Sequence, residues 1–244
     1  MAVIWQHEDG DTKYEVRSAG TSLRLYTNGA FHSQHSEKHL FTGAIWDLLS
    51  IPTCFVRATA PRSVLMLGVG GGAAIHQIDK LIATEQIVGI EFNPIHIQIA
   101  KEIFKITGDH IKLVEADARV WIAQHHSQFD VVIDDLFIDA ADDPERPFIL
   151  DRQWQDSLAR TVGQYGLLIQ NHLSQSAATA AAEQLKDHFA SALFFTVPQY
   201  ENVVLAAYRQ PIERRSASRF FEQMLKTKHP GALRKLRYRI RQYY

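Results

Sequence analysis

Residues 63–78, SVLMLGVGGGAAIHQI, are the stretch that decides the fold of this chain. An apolar run beginning at Ser63 ends at a cluster of glycines between Gly68 and Gly72, and a helical pattern follows from Ala73. Glycine adopts positive φ at little cost and lets a ligand approach the backbone without a Cβ in the way. A strand, a glycine turn and a helix in this order are typical of proteins that hold a nucleotide-like ligand.

Strands and helices alternate on the C-terminal side of this turn. Helical stretches begin near Ala73, Pro94 and Asp117, and crossovers of this kind argue for a mainly parallel sheet covered on both faces. The last two strands are joined only by QYEN and are expected to pair antiparallel. The predicted fold is therefore α/β, with a seven-stranded, mainly parallel, Rossmann-like sheet, the architecture of adenosylmethionine-dependent (class I) methyltransferases. The predicted strands are SVLMLG, QIVGIE, IKLVEA, FDVVIDD, YGLLIQN, ALFFTVP and NVVLAAY.

Three segments are predicted along the chain. Residues 1–50 form a small N-terminal β region, with two or three strands in 13–35 and a connecting helix over 37–51. Residues 51–210 form the adenosyl-binding domain. Residues 211–244 form a basic helical extension, which from Glu213 onward has ten Lys or Arg and two Glu in a chain of net charge −1. We expect this tail to dock as an amphipathic helix, with nucleic-acid binding as the alternative.

Composition limits the classes of protein that fit. A single cysteine, Cys54, excludes an intramolecular disulfide and a cysteine-based metal site, and no metal is predicted. The N-terminus lacks the basic-then-apolar pattern of a signal peptide, and no apolar stretch reaches the roughly 18 residues of a membrane helix. We therefore expect a soluble, cytoplasmic protein.

Polar residues follow the ends of successive predicted strands, where ligands of open α/β sheets lie. Glu91 ends the second strand and is placed to accept from ribose hydroxyls. Asp117 follows the third and is placed to accept from an adenine amino group, with helix capping as the alternative. Asp135 follows the fourth. The predicted ligand-binding set is Gly68, Gly70, Gly71, Gly72, Glu91, Asn93, Asp117 and Ala118.

Other nucleotides fit this pattern less well. An NAD site also has a glycine turn and an acid about 20 residues later, and its third glycine would fall at Ala73, which is an allowed variant. Asp117 and Asp135, however, would have no standard role in such a site. A phosphate loop of the Walker A type is excluded, because no Lys-Ser/Thr follows the glycines.

From Tyr14 to Tyr208 the sequence resembles the spermidine synthases and related polyamine aminopropyltransferases. The resemblance includes LYTNGAFHSQHSEKHLFTGAIWDLLS, VLMLGVGGG, VGIEFNP, VEADARVWI and FDVVIDDLF. It implies that the glycine turn holds decarboxylated S-adenosylmethionine or methylthioadenosine. It also implies that Glu91 binds ribose, Asp117 binds adenine and Asp135 deprotonates the attacking amine. A small-molecule amine acceptor and a homodimer are implied as well.

The chain departs from this family in the amine half of the site. Gly71 replaces an aspartate of the family's turn, and Leu136, Phe137 and Ile138 follow Asp135 where polar and acidic residues are usual. Three hypotheses follow: an aminopropyltransferase with a changed acceptor, a methyltransferase that uses intact S-adenosylmethionine, and a non-catalytic adenosyl-binding protein. Further departures are His32 for glutamine, Phe41 for tyrosine and Asp47 for histidine. Some acids could replace the lost negative charge, although the segment DAADDPERP reads equally well as a solvated loop; these acids are Asp47, Asp139, Asp142 and Asp143.

Overall fold

The computed structural model describes residues 1–56, 62–139 and 144–244 of the chain, except for the side chains of Asp139 and Pro144. Its N-terminal part is a four-stranded antiparallel sheet in the order β1-β2-β3-β4. The sequence predicted two or three strands here and missed the first, because its residues are mostly exposed and lack a one-sided apolar pattern. The strands are β1 (Ala2–Asp9), β2 (Thr12–Ala19), β3 (Ser22–Thr27) and β4 (Ala30–Ser36).

The predicted helix over 37–51 is much shorter in the structure. Only α1 (Asp47–Ser50) is α-helical, and a 3-10 turn (Ile51–Phe55) continues it. Gly43 has a φ of +79°, which interrupts a helix. The Asp47 carboxylate accepts hydrogen bonds from the backbone N–H groups of Thr42 and Gly43, which holds the preceding loop in a non-helical path.

The main sheet confirms the predicted α/β fold class. All seven predicted strands are present, and the last two pair antiparallel as expected. An eighth strand, β14, joins the edge, so the order is β14-β12-β13-β11-β8-β5-β6-β7. Its strands are β5 (Ser63–Leu67), β6 (Gln86–Glu91), β7 (Ile111–Glu115), β8 (Phe129–Asp134), β11 (Val162–His172), β12 (Ser191–Thr196), β13 (Val203–Tyr208) and β14 (Arg239–Gln242). The strands β9 (Ile138–Asp139) and β10 (Pro144–Glu145) form a separate two-stranded sheet.

Helices cover both faces of this sheet. Along β5, Val64 and Met66 belong to one buried apolar cluster and Leu65 and Leu67 to another, as the alternation of side chains in a strand requires. The crossover helices begin where the sequence predicts them. The helices are α2 (Ala73–Leu81), α3 (Pro94–Glu102), α4 (Ala118–Gln124), α5 (Arg152–Thr161), α6 (Gln175–Leu185) and α7 (Arg214–Lys228).

The C-terminal segment is helical only in part. In α7, Phe221 and Leu225 are fully buried, and the Phe221 ring lies 6.0 Å from that of Phe55, as expected for a docked amphipathic helix. The prediction of a wholly helical extension is wrong at β14, which pairs with β12. Ile240 lies opposite Phe195 and is the one aliphatic residue of RIRQ, so this strand gives little sequence signal. Within the described ranges, no helix is both long and apolar enough to cross a membrane.

Candidate functional site

The glycine turn after β5 lies directly against the residue that follows β8. The backbone N–H of Gly68 donates to the carbonyl of Ile90 at 2.9 Å, and Gly68 has a φ of +82°. A Cβ at Gly68 would lie 2.4 Å from the carbonyl oxygen of Asp135. The turn and the Asp135 backbone are therefore in close contact, which only glycine permits.

Glu91 is buried and holds the glycine turn in place. Its Oε2 accepts from the backbone N–H groups of Val69 at 2.8 Å and Gly70 at 2.9 Å, while Oε1 accepts from the N–H of Asn93 at 2.9 Å. A carboxylate has about four acceptor positions. Three of them face the backbone here, so a ribose hydroxyl would use the remaining position or displace one of these contacts.

Asn93 links the turn after β6 to the N-terminal sheet. Its Oδ1 accepts from the backbone N–H of Ile95 at 2.9 Å as the N-cap of α3, and its Nδ2 donates to the hydroxyl of Tyr14 at 2.9 Å. Nearby, His96 Nε2 and Thr27 Oγ1 are 2.8 Å apart. These contacts fix the N-terminal sheet beside the glycine turn, and the ligand-binding role of Asn93 stays a prediction.

Asp117 is an exposed N-cap of α4. Its Oδ1 accepts from the backbone N–H of Arg119 at 2.7 Å and of Val120 at 3.3 Å, as the capping alternative predicts. The structure records no hydrogen bond to Asp117 Oδ2 from the described residues, so capping and adenine binding are compatible. Ala118, the first residue of α4, is buried.

Asp135 lies at the carboxyl end of β8 and is partly buried. Its Oδ1 accepts from Nδ2 of Asn171 at 2.8 Å, and its backbone N–H donates to the carbonyl of Leu67 at 2.9 Å. Burial raises the pKa of Asp135 to about 7, although the hydrogen bond from Asn171 and the charge of Arg146 act in the opposite direction. A carboxyl group with this pKa can exchange a proton near neutral pH.

Asp134, the neighbouring acid, is fully buried. Its Oδ1 accepts from Arg146 Nη1 at 2.5 Å, and its Oδ2 accepts from Trp154 Nε1 at 3.0 Å and Gln170 Nε2 at 3.1 Å. Burial alone would raise the pKa of Asp134, but the Arg146 charge and these hydrogen bonds bring it below the usual value. Asp134 is thus an ionised, fully engaged acid.

Gly71, where the resemblance implies an amine-binding half of the site, lies against apolar side chains. A Cβ at Gly71 would lie 2.6 Å from the Phe104 ring and 2.9 Å from Cβ of Ser33, so an aspartate does not fit here. Phe41 is fully buried, with its ring 6.4 Å from that of Phe221. These contacts give a physical reason for two departures from the family.

Asp47 does not replace the lost charge. It is buried and accepts from the Thr42 and Gly43 backbone and from Gln77 Nε2 at 2.7 Å. Burial raises the pKa of Asp47 to about 6. Asp142 and Asp143 lie outside the described residues.

Two residues beside Asp135 were not predicted from the sequence. Asn171, the second-last residue of β11, donates a hydrogen bond to Asp135, and a polar residue near the end of a buried strand is a signal that could have found it. Arg146 lies in a loop, where sequence offers no such signal. The carbonyl oxygen of His32 would lie 3.3 Å from a Cβ at Gly70, which places the backbone of β4 against the glycine turn. In the part of the chain that the structure describes, no group of three or more His, Cys, Asp or Glu could hold a metal ion.

Comparisons with known proteins agree with this geometry. The family model for a methyltransferase domain matches residues 64–155. The polyamine aminopropyltransferase of Mycobacterium tuberculosis is 28% identical over 167 residues, which are 63% of this chain and 29% of that protein. A probable polyamine aminopropyl transferase of Bifidobacterium longum is 29% identical over 138 residues, 54% of this chain and 30% of its own length.

Solved structures show the same fold across nearly the whole chain. A probable spermidine synthase from Corynebacterium glutamicum superimposes with a TM-score of 0.77 at 14% identity, covering 99% of this chain and 91% of that one. A spermidine synthase in complex with the transition-state analogue AdoDATO gives a TM-score of 0.68 at 14% identity, covering 93% and 80%. The chain is similar in sequence to polyamine aminopropyltransferases and has the methyltransferase fold. It matches less than a third of the length of the Mycobacterium tuberculosis relative.

Proposed function

We propose that this chain binds an adenosyl sulfonium at the carboxyl ends of β5 to β8 and transfers its aminopropyl group to an amine. Decarboxylated S-adenosylmethionine is the proposed donor, and methylthioadenosine is the product left after transfer. The similarity to polyamine aminopropyltransferases supports this class of reaction. The complexes of two structural neighbours, one with AdoDATO and one with SAH, support an adenosyl ligand.

The donor half of the proposed site is formed by the glycine turn and two acids. Gly68, Gly70 and Gly72 have positive φ, so the turn keeps its shape without side chains on these residues. Glu91 retains acceptor capacity for a ribose hydroxyl, and Asp117 Oδ2 is the acceptor proposed for the adenine amino group.

The transfer needs a neutral amine, because an ammonium has no lone pair. The Asp135 carboxylate takes one proton from the amine. The nitrogen lone pair then forms a bond to the aminopropyl carbon next to sulfur, the carbon–sulfur bond breaks, and its electron pair converts the sulfonium to a neutral thioether. Holding the two substrates in line is the main contribution of the protein, at most about 7–11 kcal/mol.

The observation that carries this proposal is the position of Asp135. It touches the glycine turn through its backbone, its carboxylate is oriented by Asn171, and its pKa is raised to about 7. A base next to a donor-binding turn is what proton removal from an attacking nucleophile requires.

A second candidate function is methyl transfer from intact S-adenosylmethionine. Gly71 favours it, because the turn at the N-terminus of α2 presents no carboxylate there to repel the methionine carboxylate of that donor. Proton removal by Asp135 would serve either reaction.

Ligand stabilisation followed by product analysis tests the proposal. Thermal unfolding is measured with methylthioadenosine, decarboxylated S-adenosylmethionine, S-adenosylmethionine and NAD, and products formed from an amine mixture are identified by mass spectrometry. We expect the decarboxylated donor to stabilise the protein and amines to gain an aminopropyl group. Stabilisation by S-adenosylmethionine with methylated products would instead support the second candidate. Binding without any product would leave a non-catalytic adenosyl-binding protein.

A further inference from the structure

The wall next to Asp135 is apolar where the structure describes it. Leu136 and Phe137 follow Asp135 and are partly buried, and Ile138 is 49% exposed. Leu136 also packs against the buried cluster that contains Trp154. An acceptor whose amino group lies at Asp135 and whose body extends along these described residues contacts hydrocarbon and an aromatic ring rather than carboxylates.

The neighbouring acid cannot hold a second ammonium group. Asp134 has no exposed surface, and Arg146, Trp154 and Gln170 occupy its two oxygens. Its negative charge is compensated by Arg146 at 2.5 Å. An added cation would have to displace this guanidinium from a buried ion pair, which is strongly unfavourable.

Arg146 fixes a positive charge in the same wall. Its guanidinium donates to the backbone carbonyls of Asp134, at 3.4 Å, and Asn171, and its centre lies 4.7 Å from the centre of the Phe137 ring. The side chain is 13% exposed. The charge of Arg146 favours the ionised form of Asp135, and this effect is larger than the opposing effect of the Asp134 charge. The ion pair therefore acts on Asp135 as a net positive charge, and a cation bound beside Asp135 meets the same sign.

We propose that the acceptor is a monoamine with an apolar body, and that Arg146 disfavours acceptors with a second ammonium group. This inference rests on the proposed aminopropyl transfer and adds the substrate class. One amino group reaches Asp135 and becomes the nucleophile, while the hydrocarbon part lies along Leu136 and Phe137. A diamine of the same length would place its second charge against hydrocarbon and near the guanidinium, with a loss of solvation and without a carboxylate among the described residues of this wall to pair with it.

A matched pair of acceptors tests this inference. 1-Aminopentane and 1,5-diaminopentane have the same carbon chain and differ in the second amino group. With decarboxylated S-adenosylmethionine as donor, kcat/KM is measured for each by methylthioadenosine release. We expect the unaltered protein to favour the monoamine by about tenfold or more. Preference for the diamine would overturn the inference while leaving the proposed function intact, whereas no aminopropyl transfer to either amine would count against both.

Variants of the buried pair identify the group responsible. Arg146→Met alone leaves the Asp134 charge buried and unpaired, so it is combined with Asp134→Asn, and thermal unfolding reports whether this double variant folds. We expect its monoamine preference to fall by less than about tenfold, because the apolar wall of Leu136 and Phe137 remains. Arg152→Met is the control, because Arg152 is 53% exposed and pairs with Asp156 and Asp187 at the surface, and its preference is expected to match the unaltered protein.

Asp142 and Asp143, which lie outside the described residues, allow an independent check. The variant Asp142→Asn with Asp143→Asn removes both acids. We expect the preference for the monoamine to persist in this variant. If the unaltered protein preferred the diamine and this variant lost that preference, these two acids would be the amine-binding groups and the role given to Arg146 would be wrong.

Discussion

Replacing Gly68 with alanine is expected to destabilise the fold by about 2–5 kcal/mol. A φ of +82° costs a residue with a Cβ about 1–2 kcal/mol. The added Cβ would also lie 2.4 Å from the carbonyl oxygen and 2.9 Å from the carbonyl carbon of Asp135. Because both atoms are backbone, relief requires the strand end to move, and overpacking of this kind costs about 1–3 kcal/mol more. Urea unfolding gives the free energy directly.

Gly20→Ala is the matched control for this prediction. Gly20 also has a positive φ, +62°, but no atom lies within 4 Å of the position where its Cβ would be. The free energy of unfolding of Gly20→Ala is expected to fall only by the cost of a positive φ, about 1–2 kcal/mol. Equal losses in the two variants would refute the argument that Gly68 is required by its close contact with Asp135. A larger loss for Gly68→Ala, together with reduced turnover, would support it.

The remaining predictions concern the turn, its acid and the base. Gly71→Asp is expected to lower the free energy of unfolding by more than about 3 kcal/mol, because its side chain meets Phe104 and Ser33, and urea unfolding measures this loss. Glu91→Gln is expected to lower the free energy of unfolding by about 1–3 kcal/mol, because an amide nitrogen cannot accept from backbone N–H groups. The control in the same assay is Glu85→Gln, at a side chain that is 61% exposed, and it is expected to change this free energy little. Asp135→Asn is expected to raise the melting temperature at pH 8. Because the pKa of Asp135 is raised, the native protein loses stability as pH rises from about 4 to about 7, and an amide at this position removes that dependence. Equal melting temperatures of the unaltered protein and Asp135→Asn at pH 8 would contradict this prediction.

The sequence predicted the main sheet well because its strands are continuous apolar runs. Each run from SVLMLG to NVVLAAY is a strand in the structure, and the glycines at 68–72 form the turn as expected. The edge elements were missed for a physical reason. β1 and β14 contain many polar and charged residues and bury few side chains, so pairing to a neighbouring strand, rather than apolar periodicity, stabilises them.

The residues predicted for the site follow the strand ends as expected, and their ligand-binding roles stay predictions. Glu91 and Asp117 lie at the ends of β6 and β7 as expected, yet Glu91 supports the glycine turn and Asp117 caps α4. These contacts depend on how separate loops meet in space, which local sequence patterns do not encode. The same holds for Arg146, which is twelve residues from Asp134 in sequence and forms an ion pair with it.

The most direct test of the account is the pH dependence of methylthioadenosine release by the unaltered protein and by Asp135→Asn. Asp187→Asn, an acid-to-amide change at a side chain that is 77% exposed, is the control. We predict that kcat/KM of the unaltered protein and of the control rises with pH through about 7, because the base must be ionised. Asp135→Asn is predicted to lose at least about a hundredfold in turnover, and its kcat/KM is predicted to lack this rise with pH. Unchanged turnover in Asp135→Asn, with the same pH profile, would contradict the central claim that Asp135 is the base.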